Sequence, residues 1–518
     1  MSRQLPAKPN LEHLKNQAKQ LLLSFQRGDA AAKERFASLS ASSAAAGPKL
    51  ADALHVVARE YGFASWPKLK ERVASLTRIL SPAELLSAAI CASDADKTAR
   101  VLENHPELKA QIDGPMANYG AGATPLLAAV QRSDRKTIDV LLRAGADINA
   151  RSHSWAGGLS ALDECAHDMA AFLIERGAAL DAHAAARLGR FQELQDLVAA
   201  NPGVVAERGA NGQTPLHFAS TMEIAQYLLE RGAEMDARDL QHQSTPAQHM
   251  LRVLQGRHYR RDRQDIARYL VSRGCRTDIL MAAALGDLAL AHGLLEADPA
   301  CIRTCVSEEY FPKRDPRGGG SIYNWIFGPR RTAHLIARDF GHDDVFRLLM
   351  ERSPEDLKLA LACELGDEDV FHALMSRQPN LTKALSDDDR RRLPDAAQNN
   401  NTDAVRLMLA AGWPVDTPGE YRMTPLQWAA WHGNAEMARE ILRYHPQLEL
   451  KDNDHGITAL GGALHGSENG WRRETGDFVA TVEALLDAGA KAPKVTADLE
   501  ASEPVLEALL RYEESSAR

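Results

Sequence analysis

Long hydrophobic runs are missing from this sequence. No stretch of its 518 residues reaches the roughly 18 apolar positions that a membrane-spanning helix needs. The first residues, MSRQLPAKPNLEHLK, also lack the apolar core of a signal peptide. A membrane partner is therefore not expected, and the predicted location is the cytoplasm.

Cysteine is also scarce, and the chain has no excess of positive charge. Six scattered cysteines indicate a reducing compartment and give no disulfide framework. Acidic residues outnumber basic ones by 70 to 61, for a formal net charge of -9. Nucleic-acid binding needs a broad basic face, so no nucleic-acid partner is expected.

The common catalytic and cofactor motifs are absent as well. The chain contains no Gly-x-Ser-x-Gly elbow and no His-Glu-x-x-His zinc motif. The run Gly318 to Gly320 lacks the following Gly-Lys-Ser/Thr of a phosphate loop. Cys301 and Cys305 have no second pair at zinc-finger spacing. We therefore expect no metal and no cofactor, and an enzyme is not the favoured class.

What the chain does contain is a recurring helix-pair pattern, clearest in NGQTPLHFASTMEIAQYLLERGAEMDARD, residues 211–239. Thr214 is a good N-cap for a helix that begins at Pro215, because proline lacks the donor that a first turn leaves unpaired. Gly232 can adopt the left-handed conformation that ends the second helix. This stretch predicts two short antiparallel helices.

The Thr-Pro-Leu-His start and the Gly-Ala end of this stretch resemble one unit of the ankyrin repeat. The resemblance implies an all-α solenoid of stacked helix pairs joined by short hairpin loops. A single unit cannot bury its apolar face alone, so several copies are needed. In the family, hairpin loops and inner-helix ends line a concave face that binds partner proteins.

About twelve such units are predicted over residues 82–493. In the family, the closing glycine lies 21 residues after the threonine, and Thr124 to Gly145 fits this offset. Insertions interrupt the pattern at 256–263, 306–331 and 465–477. The units that keep register start at Glu84, Thr124, Leu180, Thr277, Thr332, Leu357, Arg391 and Thr424, and those that break it start at Ser160, Thr214, Thr245 and Thr458.

The two ends of the chain do not carry the repeat. Residues 1–76 show helical apolar spacing and resemble a helical segment that precedes ankyrin arrays in many bacterial proteins, which suggests a bacterial source. We expect a helical N-terminal domain there that caps the array. Residues 494–518 are predicted to form a C-terminal capping helix and tail.

Candidate binding residues lie where the repeat is interrupted, because function concentrates on loops held by a rigid scaffold. Tryptophan and arginine are also the residues most enriched at binding hot spots. The resemblance implies a core position for Trp428, because the family packs an apolar residue there. The predicted binding residues are Trp155, Tyr310, Arg317, Tyr323, Trp325, Arg330, Trp431, His432, Trp471 and Arg472.

Two functional classes stay open. The first is a non-enzymatic scaffold that binds a protein or peptide with its concave face and aromatic loops. The alternative is a small-molecule binding protein or enzyme, with a pocket walled by the 306–331 loop and the inner helices of the C-terminal repeats. His432, Tyr323 and Arg330 are then the catalytic candidates. A third reading is structural, in which the long loops bury their own aromatics against the stack.

Overall fold

The fold is known from a computed structural model of the chain. It describes residues 3–6, 9–37, 48–63, 65–77, 80–163, 165–251, 263–496 and 499–516. These residues form α-helices and short 3-10 turns, and the only β-bridge among them joins Cys305 and Thr332. The all-α prediction is confirmed. None of the described helices combines the length and apolarity needed to cross a bilayer.

The chain divides into two compact units, which are described separately. Unit 1 comprises residues 1–79 and 354–518, and unit 2 comprises residues 80–353. Unit 1 opens with four helices: α1 (Leu11–Gln26), α2 (Ala30–Ala37), α3 (Leu50–Glu60) and α4 (Trp66–Thr77).

Unit 2 is a succession of helix pairs separated by hairpin loops. Its helices are α5 (Pro82–Cys91), α6 (Ala95–Asn104), α7 (Pro125–Gln131), α8 (Arg135–Arg143), α9 (His167–Ile174), α10 (Ala182–Leu188), α11 (Phe191–Ala200), α12 (Pro215–Phe218), α13 (Met222–Glu230), α14 (Pro246–His249), α15 (Gln264–Ser272), α16 (Ile279–Leu285), α17 (Leu288–Ala297), α18 (Tyr323–Ile326), α19 (Ala333–Asp339) and α20 (Asp343–Arg352).

The pairs continue in the second part of unit 1, which ends in a single long helix. These helices are α21 (Glu355–Leu365), α22 (Glu368–Arg377), α23 (Asp387–Gln398), α24 (Thr402–Ala411), α25 (Pro425–His432), α26 (Ala435–Leu442), α27 (Ala459–Asn469), α28 (Phe478–Asp487) and α29 (Glu503–Ser516).

The predicted start and stop signals of the helices are confirmed. The Thr124 hydroxyl accepts the Leu127 N–H at 3.2 Å, so it caps α7. At α12 the helix begins at Pro215, behind Thr214. Gly232 has a φ of 91°, the left-handed conformation in which the following hairpin can start.

Small side chains allow the inner helices to pack closely. Helix Ile279–Leu285 contains three consecutive alanines, and each of its residues is at most 1% exposed. Alanine brings the neighbouring helices near, and the larger side chains fill the remaining space. Trp428 is 2% exposed on α25, which confirms its predicted place in the core.

The N-terminal helices of unit 1 contact the C-terminal part of the same unit. Arg59 of α3 forms an ion pair with Glu503 at the start of α29. Lys68 of α4 lies 3.3 Å from Glu468 of α27. These side chains are partly exposed, so each pair adds little stability by itself.

Candidate functional site

The 306–331 loop is an ordered part of unit 2. Its ends are joined by two backbone hydrogen bonds, from the Val306 N–H to the Arg331 carbonyl (3.0 Å) and from the Arg330 N–H to the Val306 carbonyl (2.8 Å). Farther along, the Gly319 N–H donates to the Gln241 carbonyl at 2.8 Å. The loop is therefore closed at its base and attached to a neighbouring hairpin.

The helical turn α18 anchors the loop by one apolar face. Tyr323, Ile326 and Phe327 are 0%, 3% and 6% exposed, whereas Trp325 is 57% exposed. Their spacing places the three buried side chains on one side of the turn and Trp325 on the other. The loop thus buries most of its apolar side chains, as the structural reading expects, and still presents one indole to solvent.

A buried hydrogen bond secures this anchor. The Tyr323 hydroxyl donates to Asp278 Oδ2 at 2.8 Å, and Gln248 Nε2 donates to the same oxygen at 3.3 Å. Asp278 also caps α16 by accepting the Met281 N–H at 2.9 Å. Burial and the neighbouring Asp278 raise the pKa of Tyr323 well above its ordinary value. The phenol therefore stays a neutral donor and is unsuited to accept a proton near neutral pH.

A cavity of about 490 Å³ lies between the loop and two hairpin tips of unit 2. Four of its lining residues are basic and two are acidic, while His242 and Tyr310 contribute rings. The lining residues are Arg238, Gln241, His242, Gln243, Ser244, Thr245, Gln248, Arg276, Thr277, Asp278, Tyr310, Phe311, Pro312, Lys313, Arg314, Asp315, Gly318, Gly320 and Ser321.

Two predicted binding residues meet at the edge of the same loop. The Arg317 guanidinium lies 4.4 Å from the centre of the Trp155 ring, in cation–π geometry. Arg317 also donates to both carboxylate oxygens of Asp315, at 3.0 and 2.7 Å. These bonds lower the pKa of Asp315 to about 2.

The other predicted residues of this loop lie around the cavity. Tyr310 lines it, and the exposed Trp325 ring lies 6.3 Å from the ring of His242, which also lines it. Arg330 adopts a left-handed φ of 61° at the base of the loop. Unit 2 thus brings Trp155, Arg317, Trp325 and Tyr310 to one loop and its surroundings.

Three of the four remaining predicted residues, Trp431, His432 and Trp471, form an aromatic group in unit 1. The His432 side chain is buried, its Nε2 donates to the Gln398 carbonyl at 2.8 Å, and burial together with Arg472 lowers its pKa. Trp471 is 69% exposed, and its ring lies 5.9 Å from His432 and 6.1 Å from Trp431. Trp471 is the accessible member of this group.

The three catalytic candidates do not all belong to one unit. His432 lies in unit 1, whereas Tyr323 and Arg330 lie in unit 2. Their joint catalytic role stays a prediction. The wall opposite the 306–331 loop in the observed cavity is formed by hairpins of unit 2, at residues 238–245 and 276–278.

Sequence reasoning did not find the basic residues of the cavity. Arg238 and Arg276 lie on successive hairpin tips, where charged residues are ordinary in this kind of repeat. Only their location in the sequence could have indicated a site, because both precede inner helices close to the longest insertion. Asp278 was also missed, since nothing local marks it as the partner of Tyr323.

A buried polar network lies behind these hairpins. His217, Asp239 and His249 place one potential ligand atom each within 4.8 Å of one another. However, His217 Nδ1 accepts the Thr214 N–H at 3.1 Å and its Nε2 faces the Ser244 carbonyl at 3.3 Å. Asp239 is ion-paired with His249. These hydrogen bonds explain the cluster: its side chains connect the hairpins to the inner helices.

The insertion predicted at 256–263 adjoins this network. Its residues 256–262 lie outside the described residues. Arg263 is described, and its guanidinium donates to the carbonyl oxygens of His217 (2.7 Å) and His249 (3.1 Å). This arginine of the insertion therefore links two inner helices, α12 and α14, through their carbonyl oxygens.

Acidification is expected to destabilise unit 2 through His217. Burial, followed by the charge of His249, lowers the pKa of His217 from 6.5 to about 3. The unfolded chain therefore takes up a proton first, so this contribution to stability is complete above pH 6.5 and is lost as the pH falls toward about 3. The melting temperature, followed by calorimetry between about pH 7 and pH 5, should fall.

The matched variant is His217→Gln, because Gln248 and Gln427 already occupy the corresponding third position of α14 and α25. This variant removes the titrating group and retains an acceptor for the Thr214 N–H. The melting temperature of this variant should fall less than that of the wild type over the same pH range. Equal losses in both proteins would show that His217 does not carry the effect.

Comparison with protein families identifies three matching segments. The family described as ankyrin repeats in three copies matches residues 359–454. The single ankyrin repeat matches residues 121–153 and 211–240. No curated protein matches the chain. Ankyrin repeats are in general modules of protein–protein interaction, and the helix pairs of both units agree with these matches. The chain therefore contains ankyrin repeats.

Proposed function

We propose that the chain is a non-enzymatic scaffold that binds a partner protein or peptide through one face of unit 2. This face, here called the loop face, consists of Trp155, the 306–331 loop and the hairpins at 238–245 and 276–278. The observation that carries the proposal is the exposure of Trp325 on a turn whose other apolar side chains are buried. An ordered loop that holds an indole in solvent offers a rigid apolar anchor to a partner.

The Trp155–Arg317 pair supports the same face. Stacking holds the guanidinium over the indole, and the bidentate bond to Asp315 restricts it further. Ordering these side chains before binding reduces the entropy that association costs. Trp155 and Trp325 thus supply two aromatic contacts on one folded unit.

A second candidate is a small-molecule binding protein. The observation in its favour is the cavity of about 490 Å³, which lies in the usual size range of ligand pockets. Its lining is rich in charged side chains, whereas such pockets are mostly apolar. A thermal-shift screen of metabolites would favour this candidate if one compound raises the melting temperature of the wild-type protein.

Removing both indoles of the loop face is expected to reduce partner capture. The Trp155→Ala/Trp325→Ala variant should retain the wild-type melting temperature within a few degrees, because both side chains are exposed. Truncation of an aromatic hot spot costs about 2 kcal/mol or more, so binding should weaken at least about 30-fold. Affinity capture from a lysate, with quantitative mass spectrometry, measures this loss.

Leu288→Ala is the matched control, since Leu288 is an exposed apolar residue of unit 2 that lies outside the loop face. It should capture the same proteins as the wild type. If the folded double variant also captures the wild-type set in wild-type amounts, the loop face is not the binding surface.

A further inference from the structure

The cavity beside the loop face concentrates positive charge. Three arginines line it together with Lys313. Burial, followed by the charges of Arg314 and Arg276, lowers the pKa of Arg238. The Arg238 guanidinium is thus near enough to Arg276 and Arg314 to be repelled by both. An anion bound among them would relieve this repulsion and gain several charge-assisted hydrogen bonds.

Two of these arginines have no partner among the residues that the structure describes. In the described part of the chain, the Arg276 and Arg314 side chains make neither an ion pair nor a hydrogen bond, and both are exposed. Among the described residues, the Arg238 guanidinium donates only to the Gln243 carbonyl, at 3.4 Å. Guanidinium groups of this kind are available to a carboxylate or phosphate, which they can bind in bidentate fashion.

The acidic side chains of the cavity are already engaged. Asp315 accepts both of its strong hydrogen bonds from Arg317. Asp278 accepts from Tyr323, Gln248 and the Met281 N–H, and burial raises its pKa. The cavity's own carboxylates therefore do not neutralise its arginines.

The cavity also adjoins the exposed aromatic anchor. His242 lines the cavity, and its ring lies 6.3 Å from the ring of Trp325. An extended peptide has about 3.3 Å of reach for each residue, so one short segment can contact both places. This continuity favours a peptide over a free ion.

We propose that the cavity is an anion subsite, in which Arg238, Arg276 and Arg314 bind an acidic group on a partner peptide whose neighbouring apolar residue packs on Trp325. The proposal rests on the proposed function and names its partner as a peptide that carries a carboxylate or phosphate. The two sources share oxyanion chemistry and are separated by the probes below.

Calorimetric titration of the full-length protein at low ionic strength tests the subsite. The probes are hexaglutamate, a hexapeptide of alternating phosphoserine and serine, hexaglutamine, and inorganic phosphate. The variant is Arg276→Gln/Arg314→Gln, whose exposed side chains make no hydrogen bond or ion pair among the described residues. Arg347→Gln is the matched control, because Arg347 is an exposed arginine of α20 in the same unit.

At least one acidic peptide should bind to the wild type, more weakly as salt is added. The double variant should lose at least about tenfold in affinity, whereas Arg347→Gln should lose less than about twofold. Tighter binding of hexaglutamate assigns a carboxylate partner, and tighter binding of the phosphoserine peptide assigns a phosphorylated one.

Several results would overturn the subsite. These are failure of both acidic peptides to bind more tightly than hexaglutamine, equal affinity of the wild type and the folded double variant, or binding of inorganic phosphate as tightly as of the phosphoserine peptide. If the subsite fails while partner capture still depends on Trp155 and Trp325, the loop face remains the binding surface. If partner capture does not depend on Trp155 and Trp325 while the acidic peptides still bind through the arginines, the proposed protein-binding role fails and the anion subsite remains.

Discussion

Replacing Tyr323 with alanine is expected to release the 306–331 loop and to destabilise unit 2 by about 3–5 kcal/mol, the usual cost of truncating a buried aromatic residue. The ring is fully buried and packs edge-on against Phe311, with ring centres 5.2 Å apart. Phe327 lies at the same distance on another side. The variant also leaves Asp278 without its shortest side-chain hydrogen bond.

Hydrogen exchange measures this effect at the loop itself. The Val306, Gly319 and Arg330 amides donate to backbone carbonyls in the folded loop, so their protection should fall in Tyr323→Ala. Tyr323→Phe retains the ring and removes only the hydroxyl, so its cost should be about 1–3 kcal/mol. Wild-type protection of these amides in Tyr323→Ala would show that the turn α18 does not hold the loop.

Replacing Arg392 with methionine is expected to destabilise unit 1 by about 3–5 kcal/mol, because it leaves buried carboxylates without their cation. The Arg392 side chain is 10% exposed and lies 2.9 Å from Glu364 and 3.2 Å from Asp389. Burial alone would disfavour its charge, but these two carboxylates raise the pKa of Arg392 overall. Loss of the guanidinium therefore removes the compensation that both acids require.

Urea unfolding followed by tryptophan fluorescence measures this loss. Unit 1 contains most of the tryptophans, among them Trp413, whose Nε1 donates to the Asp389 carbonyl at 2.8 Å. Arg390→Met is the control on the same helix, since Arg390 pairs with the well-exposed Asp387 and should cost less than about 1 kcal/mol. Equal midpoints for the two variants would contradict a stabilising role for the buried pair.

The sequence predicted those features of the fold that depend on local chemistry. Thr214, Pro215 and Gly232 act within a few residues of their own position, so their capping roles follow from residue type and spacing. Trp428 was placed in the core because it occupies a position at which the ankyrin repeat packs an apolar residue. Such inferences need no knowledge of which distant segments meet.

The candidate site depends on contacts that the sequence does not encode locally. Trp155 and Arg317 belong to different loops, and only the docking of the 306–331 loop brings them together. In the sequence, Asp278 is indistinguishable from an ordinary N-cap residue, and only the structure shows that it accepts a hydrogen bond from the Tyr323 hydroxyl. His432 was predicted as a binding residue, and the structure buries its ring and bonds it to the Gln398 carbonyl. Loop docking is a long-range event, and repeat periodicity carries no signal for it.

Site-specific photo-cross-linking tests the binding role of the loop face most directly. Trp325→benzoylphenylalanine puts a photoreactive ring at the exposed anchor, and Leu288→benzoylphenylalanine does the same elsewhere on unit 2. On irradiation in a lysate of the source cells, position 325 should form a discrete protein adduct that excess unlabelled wild-type protein competes away, and position 288 should not. Identical adduct patterns at the two positions, or no competable adduct at 325, would contradict a partner-binding loop face.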